Sequence, residues 1–228
     1  MLMSEHVNNS LMITLFQHGH DESAGTILEY LHERKIPFET FRFYEGDEVP
    51  GIIPEKLIVL GGQMSVNDEK DYPYFVQEKL LIKKAITANR PVLGICLGAQ
   101  MIASAFDCDV RKGIREIGWH NIKGCRQERN KIFPDNFAVF HWHEENFDLP
   151  RGAKLIAYGD AVKNQAFRIG SAVGVQFHPE VTMEIIAKWT KDLPDRKRAL
   201  ILKESAVRLG ENKVRCYALV DALVKGWD

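Results

Sequence analysis

The chain has 228 residues, of which 45% are hydrophobic and 27% charged, with a formal net charge of -1. That balance suits a soluble α/β domain with a full core spanning 1–228, and offers no basic surface for nucleic acid. No apolar run approaches the roughly 18 residues that cross a bilayer, and the N-terminal M-L-M-S-E-H-V-N-N-S lacks the basic flank and apolar stretch of a signal peptide. The cysteines, Cys96, Cys108, Cys125 and Cys216, show no metal-site or C-x-x-C spacing, which fits a reducing cytoplasm.

Leu11 to Gln17 is an apolar run expected as the first, central strand. It opens into His18-Gly19-His20-Asp21-Glu22, where an H-x-H pair lacks a third metal ligand and reads better as site rim. Helices are expected at Ala24–Arg34 and Pro73–Asn89, with strands at Phe38–Tyr44 and Lys56–Leu60. On the second of these helices Lys79, Lys83 and Lys84 read as a solvated face. The third strand runs into Gly61-Gly62-Gln63, where the glycines permit either a tight strand exit or close approach of backbone N–H groups to a substrate.

Pro91 to Met101 reads P-V-L-G-I-C-L-G-A-Q-M. Cys96 falls between a short buried strand and a helix over Leu97–Phe106, flanked by Gly94 and Gly98, in the thiol form of a nucleophile elbow. Backbone N–H groups and the helix dipole at such a position favour a thiolate. On these residues alone a reactive thiol and a small buried cysteine fit equally. Beyond Lys112 the helices give way to shorter strands at Arg115–Ile122, Phe137–His143, Lys154–Tyr158, Asn164–Ile169 and Ala172–Phe177. Within Phe140-His141-Trp142-His143, a metal site and a pocket wall are both readable.

The stretch Ala172 to Glu180 ends in His178-Pro179-Glu180. Pro179 holds the chain extended, and residues two apart then point the same way, so Glu180 can orient the His178 imidazole for work on Cys96. Helices are expected at Met183–Lys191, Pro194–Leu209 and Lys213–Lys225, a C-terminal extension from about residue 181. Arg196, Lys197, Arg198, Lys203 and Arg208 give it a basic side, read as a solvated face or a partner-docking one.

G-I-C-L-G-A-Q and G-V-Q-F-H-P-E together resemble the nucleophile and His-Glu signatures of class I, triad-type glutamine amidotransferases. The similarity runs over about 12–185 and is nearest to stand-alone relatives of the amidotransferase domain of GMP synthase. The resemblance implies a flavodoxin-like three-layer sandwich, with a mixed, largely parallel sheet and a small antiparallel extension. It implies a catalytic Cys96, His178 and Glu180, and an oxyanion loop with Gly62 and Leu97 N–H groups as donors. In that loop Gln63 replaces the usual proline, and after the elbow helix Asp107 replaces a usual glycine, with Cys108 merely packed. Gln100 is expected at the α-amino and α-carboxylate end of bound glutamine, and Trp142 and His143 in the pocket wall.

The implied reaction is hydrolysis of the glutamine side-chain amide through a γ-glutamyl thioester, with no metal and no organic cofactor. No P-loop is present in the sequence, so use of the ammonia implies a synthetase partner; the chain is also compatible with a homodimer, and neither nucleic acid nor membrane is expected. A γ-glutamyl peptidase using the same three residues is the main alternative, and a non-catalytic binding module the weaker one.

Overall fold

The computed structural model describes residues 12–125 and 132–227. The first ten residues, read above for a leader, lie outside them. Among the described residues nine strands, numbered in chain order, form one sheet in the order β2-β1-β3-β4-β9-β8-β7-β5-β6. The parallel body comprises β1 (Ile13–Gln17), β2 (Phe38–Arg42), β3 (Lys56–Val59), β4 (Val92–Ile95) and β9 (Ala172–Val175). From β9 onward pairing is antiparallel through β8 (Ala166–Ile169), β7 (Lys154–Tyr158), β5 (Val110–Gly124) and β6 (Phe137–Phe147). The central strands β1, β4 and β9 are buried at every position, as parallel strands covered on both faces must be.

One sheet face packs Ile13, Leu15 and Val173 against α1 (Gly25–Glu33) and the last turns of α5 (Asp195–Lys225). The other packs Phe16, Leu57 and Val92 against α2 (Tyr74–Thr87) and α3 (Leu97–Ala105). The result is a flavodoxin-like sandwich of helix, sheet and helix. A third cluster joins Phe140 of β6 to Ile185 and Ile186 of α4 (Met183–Trp189) and to Ile201 of α5.

Several boundaries differ from expectation. The two C-terminal helices are one, α5, running straight through Gly210. A glycine costs a helix interior only about 1 kcal/mol, and burial of Asn212, Cys216, Leu219, Val220 and Leu223 outweighs it. Asn212 also donates from Nδ2 to the Pro179 carbonyl at 2.8 Å, tying α5 to the turn that carries His178 and Glu180. Strands β5 and β6 extend beyond the expected pair because they complete each other's ladder. The second strand stops at Arg42, and Phe43–Glu45 form a 3-10 turn. Lys79 is not on a solvated face: its ammonium donates to the Val66 carbonyl and to Glu69, both at 2.7 Å.

Candidate active site

Cys96 has φ 51° and ψ -105°, a left-handed conformation that non-glycine residues seldom adopt. It is held there from both sides: its N–H donates to Val175 O at 2.8 Å, and its carbonyl accepts from Gln100 N at 3.0 Å. The bend also requires the small neighbours read from the sequence. A Cβ on Gly94 would stand 2.4 Å from the Gly98 carbonyl oxygen, and one on Gly98 would stand 2.1 Å from Val59 O. Such strain is of the order of 1–3 kcal/mol and persists only where surroundings impose it.

His178 follows β9 and is buried, as is Glu180. His178 Nδ1 and Glu180 Oε1 are 2.7 Å apart, the expected pairing, although Pro179 and Glu180 lie in a turn where extended chain was expected. Nε2 has no hydrogen-bond partner. Burial disfavours the imidazolium, but the Glu180 carboxylate and the Cys96 sulfur outweigh it and raise the His178 pKa to about 10. Gly61 fills the space between thiol and ring: a Cβ there would lie 3.0 Å from His178 Cε1 and 3.6 Å from Cys96 Cβ. The sulfur lies 3.9 Å from the Trp142 carbonyl oxygen and 3.7 Å from Gln176 Nε2.

These residues open into a cleft of about 690 Å³ lined by Cys96, Gln100, Gly62, Gln63, Trp142, His143 and His178. Gln100 is buried one turn into α3 and donates from Nε2 to the Glu145 carbonyl at 3.2 Å and to Gln176 Oε1 at 3.4 Å. Gln63 donates to Glu22 Oε1 at 2.9 Å. Leu97 begins α3 with its side chain buried beneath the loop, 2.6 Å from where a Gly62 Cβ would be. The two histidines of the H-x-H pair part company. His20 is exposed, whereas His18 is buried against Glu78. Cys108 is half-buried, and its thiol donates to Asp148 O at 2.9 Å.

His18 lies directly behind the Gly61–Gly62 loop. Its Nε2 faces both Glu78 oxygens at 2.9 and 3.2 Å, and its Nδ1 faces the Gly61 carbonyl at 3.4 Å. Both ring nitrogens thus meet acceptors, the pattern of an imidazolium. Burial opposes that charge, and Glu78 overrides it to raise the His18 pKa.

Sequence reading missed four residues of this region. Gln176 directly follows β9, two positions before His178, and a lone polar residue in the run A-V-G-V-Q-F was the available signal. Trp189 packs edge-on to the His178 ring at 4.8 Å and donates from Nε1 to Asp21 O at 3.0 Å. Glu78 and Glu116 are fully or nearly buried acids, at 0% and 4% exposure, the first in a helix stretch that locally reads as solvated and the second in an expected strand. Glu116 accepts from Gln165 Nε2 at 2.8 Å and lies 3.2 Å from His143 Nε2. Its burial favours the neutral acid, but those two hydrogen bonds prevail and lower its pKa. His141 beside it is pushed well below the ordinary imidazole value by burial and by neighbouring histidines.

An elbow cysteine, a buried His-Glu pair and a sheet of this order come together on a flavodoxin-like scaffold. The chain belongs to the class-I glutamine amidotransferase family, whose signature matches residues 20–188. It is 33% identical over 180 residues to the glutamine amidotransferase-like protein YfeJ of Salmonella typhimurium, covering 74% of this chain and 75% of that one. It is 34% identical over 141 residues to the glutamine-hydrolysing GMP synthase of Wigglesworthia glossinidia brevipalpis, covering 55% of this chain but only 26% of the synthase. A solved glutamine amidotransferase of Thermotoga maritima superposes with a TM-score of 0.88 at 29% identity, over 95% of this chain and 99% of that one. Among the described residues no helix is long and apolar enough to cross a membrane.

Proposed function

We propose that this protein hydrolyses the side-chain amide of glutamine through a γ-glutamyl thioester on Cys96. The Cys96 thiolate attacks the amide carbon, and the Gly62 and Leu97 N–H groups receive the resulting oxyanion; one such donor is typically worth about 2.7–4 kcal/mol of barrier. His178, held by Glu180, gives its proton to the departing nitrogen, which leaves as ammonia. Water then gives up a proton to the same imidazole, adds to the thioester, and releases glutamate and the free thiol. Gln176 lies at the sulfur, and Gln100, hydrogen-bonded to it, takes the α-amino and α-carboxylate end of the substrate. By analogy with the synthase relatives, ammonia passes to a partner synthetase. The cytoplasm is the setting.

The observation that carries this reading is the strained Cys96 beside a 2.7 Å His178–Glu180 pair in an open cleft. A second reading, γ-glutamyl peptidase, draws on the breadth of that cleft, which at about 690 Å³ exceeds the needs of one amino acid. One comparison separates them: purified protein is supplied with glutamine and, separately, with γ-glutamyl dipeptides. Ammonia from glutamine, abolished in Cys96→Ala, is expected. Cleavage of dipeptides alone would transfer the assignment to the peptidase, and turnover unchanged in Cys96→Ala would end both.

A further inference from the structure

Behind the cleft wall, Glu116 of β5 and His141 and His143 of β6 aim three donor atoms at one point. Glu116 pairs with His143 and Gly118 with His141 in the β5–β6 ladder, so the three side chains share one sheet face. The ladder slips register between Lys112 and Glu116, immediately before the acid, and bulges of this kind re-aim side chains. The separations are 3.4 Å from Glu116 Oε2 to His141 Nδ1, 3.2 Å from that oxygen to His143 Nε2, and 3.2 Å between the two nitrogens. Ligands about 2.0–2.1 Å from a tetrahedral zinc ion are separated by roughly 3.3 Å along each edge. The three atoms therefore form one face of such a tetrahedron without movement.

The surroundings complete the pattern. His143 Nδ1 lies 3.2 Å from the Glu145 carbonyl, an acceptor for its proton once an ion takes Nε2 from its hydrogen bond with Glu116. Gln165 Nε2 donates at 2.8 Å to the same Glu116 Oε2, fixing the oxygen offered to the ion. All three side chains are more than nine-tenths buried, and the second nitrogen of His141 has no hydrogen-bond partner. His143 also lines the cleft, which gives an ion a way in.

We propose that Glu116, His141 and His143 bind one divalent transition-metal ion of the zinc class between β5 and β6. The ion takes no part in amide hydrolysis. It clamps the β6 segment whose Trp142 carbonyl faces Cys96, so the occupied site stiffens the cleft wall.

The test uses the full-length protein carrying Cys96→Ala, because a free thiol beside His178 binds zinc in its own right. After exhaustive chelation, Zn²⁺ alone is titrated by calorimetry and counted by elemental analysis, with no substrate present. One equivalent per chain is expected. Glu116→Gln and His141→Ala should each weaken binding at least about 100-fold, and Gln165→Leu, which removes only a supporting contact, about 10- to 100-fold. Co²⁺ in the Cys96→Ala protein should give the intense visible bands of a tetrahedral nitrogen–oxygen site, a readout that stands even if the ligand variants fail to fold. The proposal is overturned if the Cys96→Ala protein binds no zinc, if Glu116→Gln and His141→Ala retain full affinity, or if bound Co²⁺ is octahedral.

Discussion

Replacing Glu78 by alanine isolates the buried pair behind the Gly61–Gly62 loop. Both side chains are wholly excluded from solvent, and the carboxylate holds the ring from two oxygens, at 2.9 and 3.2 Å. The substitution leaves an imidazolium in the core with no counter-charge, or forces it to discharge. Removing one partner of such a pair costs about 3–5 kcal/mol. At about 2–4 °C per kcal/mol for a chain of this size, the midpoint of thermal unfolding falls by roughly 6–20 °C. Glu78→Gln keeps an amide oxygen for Nε2 but loses the charge, and should cost about 1–3 kcal/mol. The double variant His18→Phe/Glu78→Leu removes both polar groups, and its loss should fall short of the summed single losses by more than about 1 kcal/mol.

The assay is urea unfolding followed by far-UV circular dichroism, across pH. The folded pKa of His18 is raised, so the pair's contribution is complete below the unfolded value of about 6.5 and fades as pH rises through the folded value. The stability gap between wild type and Glu78→Gln should therefore be widest in mild acid and narrow toward alkali. A Glu78→Ala protein within 1 kcal/mol of wild type, or a gap that widens toward alkali, would refute the charged-pair account. Because His18 Nδ1 also faces the Gly61 carbonyl at 3.4 Å, the same variant should lower glutamine turnover through a looser loop.

Two glycines should respond oppositely to a methyl group. Gly98→Ala forces a Cβ to 2.1 Å from Val59 O and should destabilise by at least the upper end of about 1–3 kcal/mol, whereas Gly210→Ala meets nothing within 4 Å and should stabilise α5 by about 0.5–1 kcal/mol. Thermal melts decide, and a destabilised Gly210→Ala protein would mean that α5 is not continuous there. His178, raised to about 10, contributes stability that is complete below its unfolded value near 6.5 and is lost as pH rises through about 10. The urea midpoint of wild type should therefore drop more steeply than that of Glu180→Gln between pH 8 and pH 10.5, and parallel profiles would show that Glu180 does not hold the proton there.

The parts of the site that could be read in the sequence are those fixed by local geometry. The elbow needs Gly94 and Gly98 beside Cys96 because the clashing atoms belong to the same turn and the adjoining strand. His178 and Glu180 meet because they lie only two residues apart, although Pro179 and Glu180 form a turn and not the extended chain expected. The unread parts depend on what lies across the sheet. Glu78 occupies a helix stretch, Q-E-K, that reads as solvated, and is buried because β1 delivers His18 opposite it. Glu116 follows the same logic, since its burial is set by a register slip and by β6, some twenty-five residues on. The split of the C-terminal helix at Gly210 failed because propensity counts one residue, while the buried row from Asn212 to Leu223 counts five.

Buried charge in this molecule follows the carboxyl edge of the sheet. His18 leaves the end of β1 and meets Glu78 of α2, and His178, just beyond β9, meets Glu180 two residues on. A charge taken from water there is costly unless paired, so every pair along this edge contributes to stability only while its partner stays in place. Site and core are therefore coupled: Glu78, which touches neither sulfur nor cleft, bears on both unfolding and the loop that faces Cys96. The outward face of α5, with Leu200, Val207 and Val214 exposed, carries no such burden. Substitutions there should leave turnover and its pH profile untouched, while equally conservative changes at the sheet edge should alter both together.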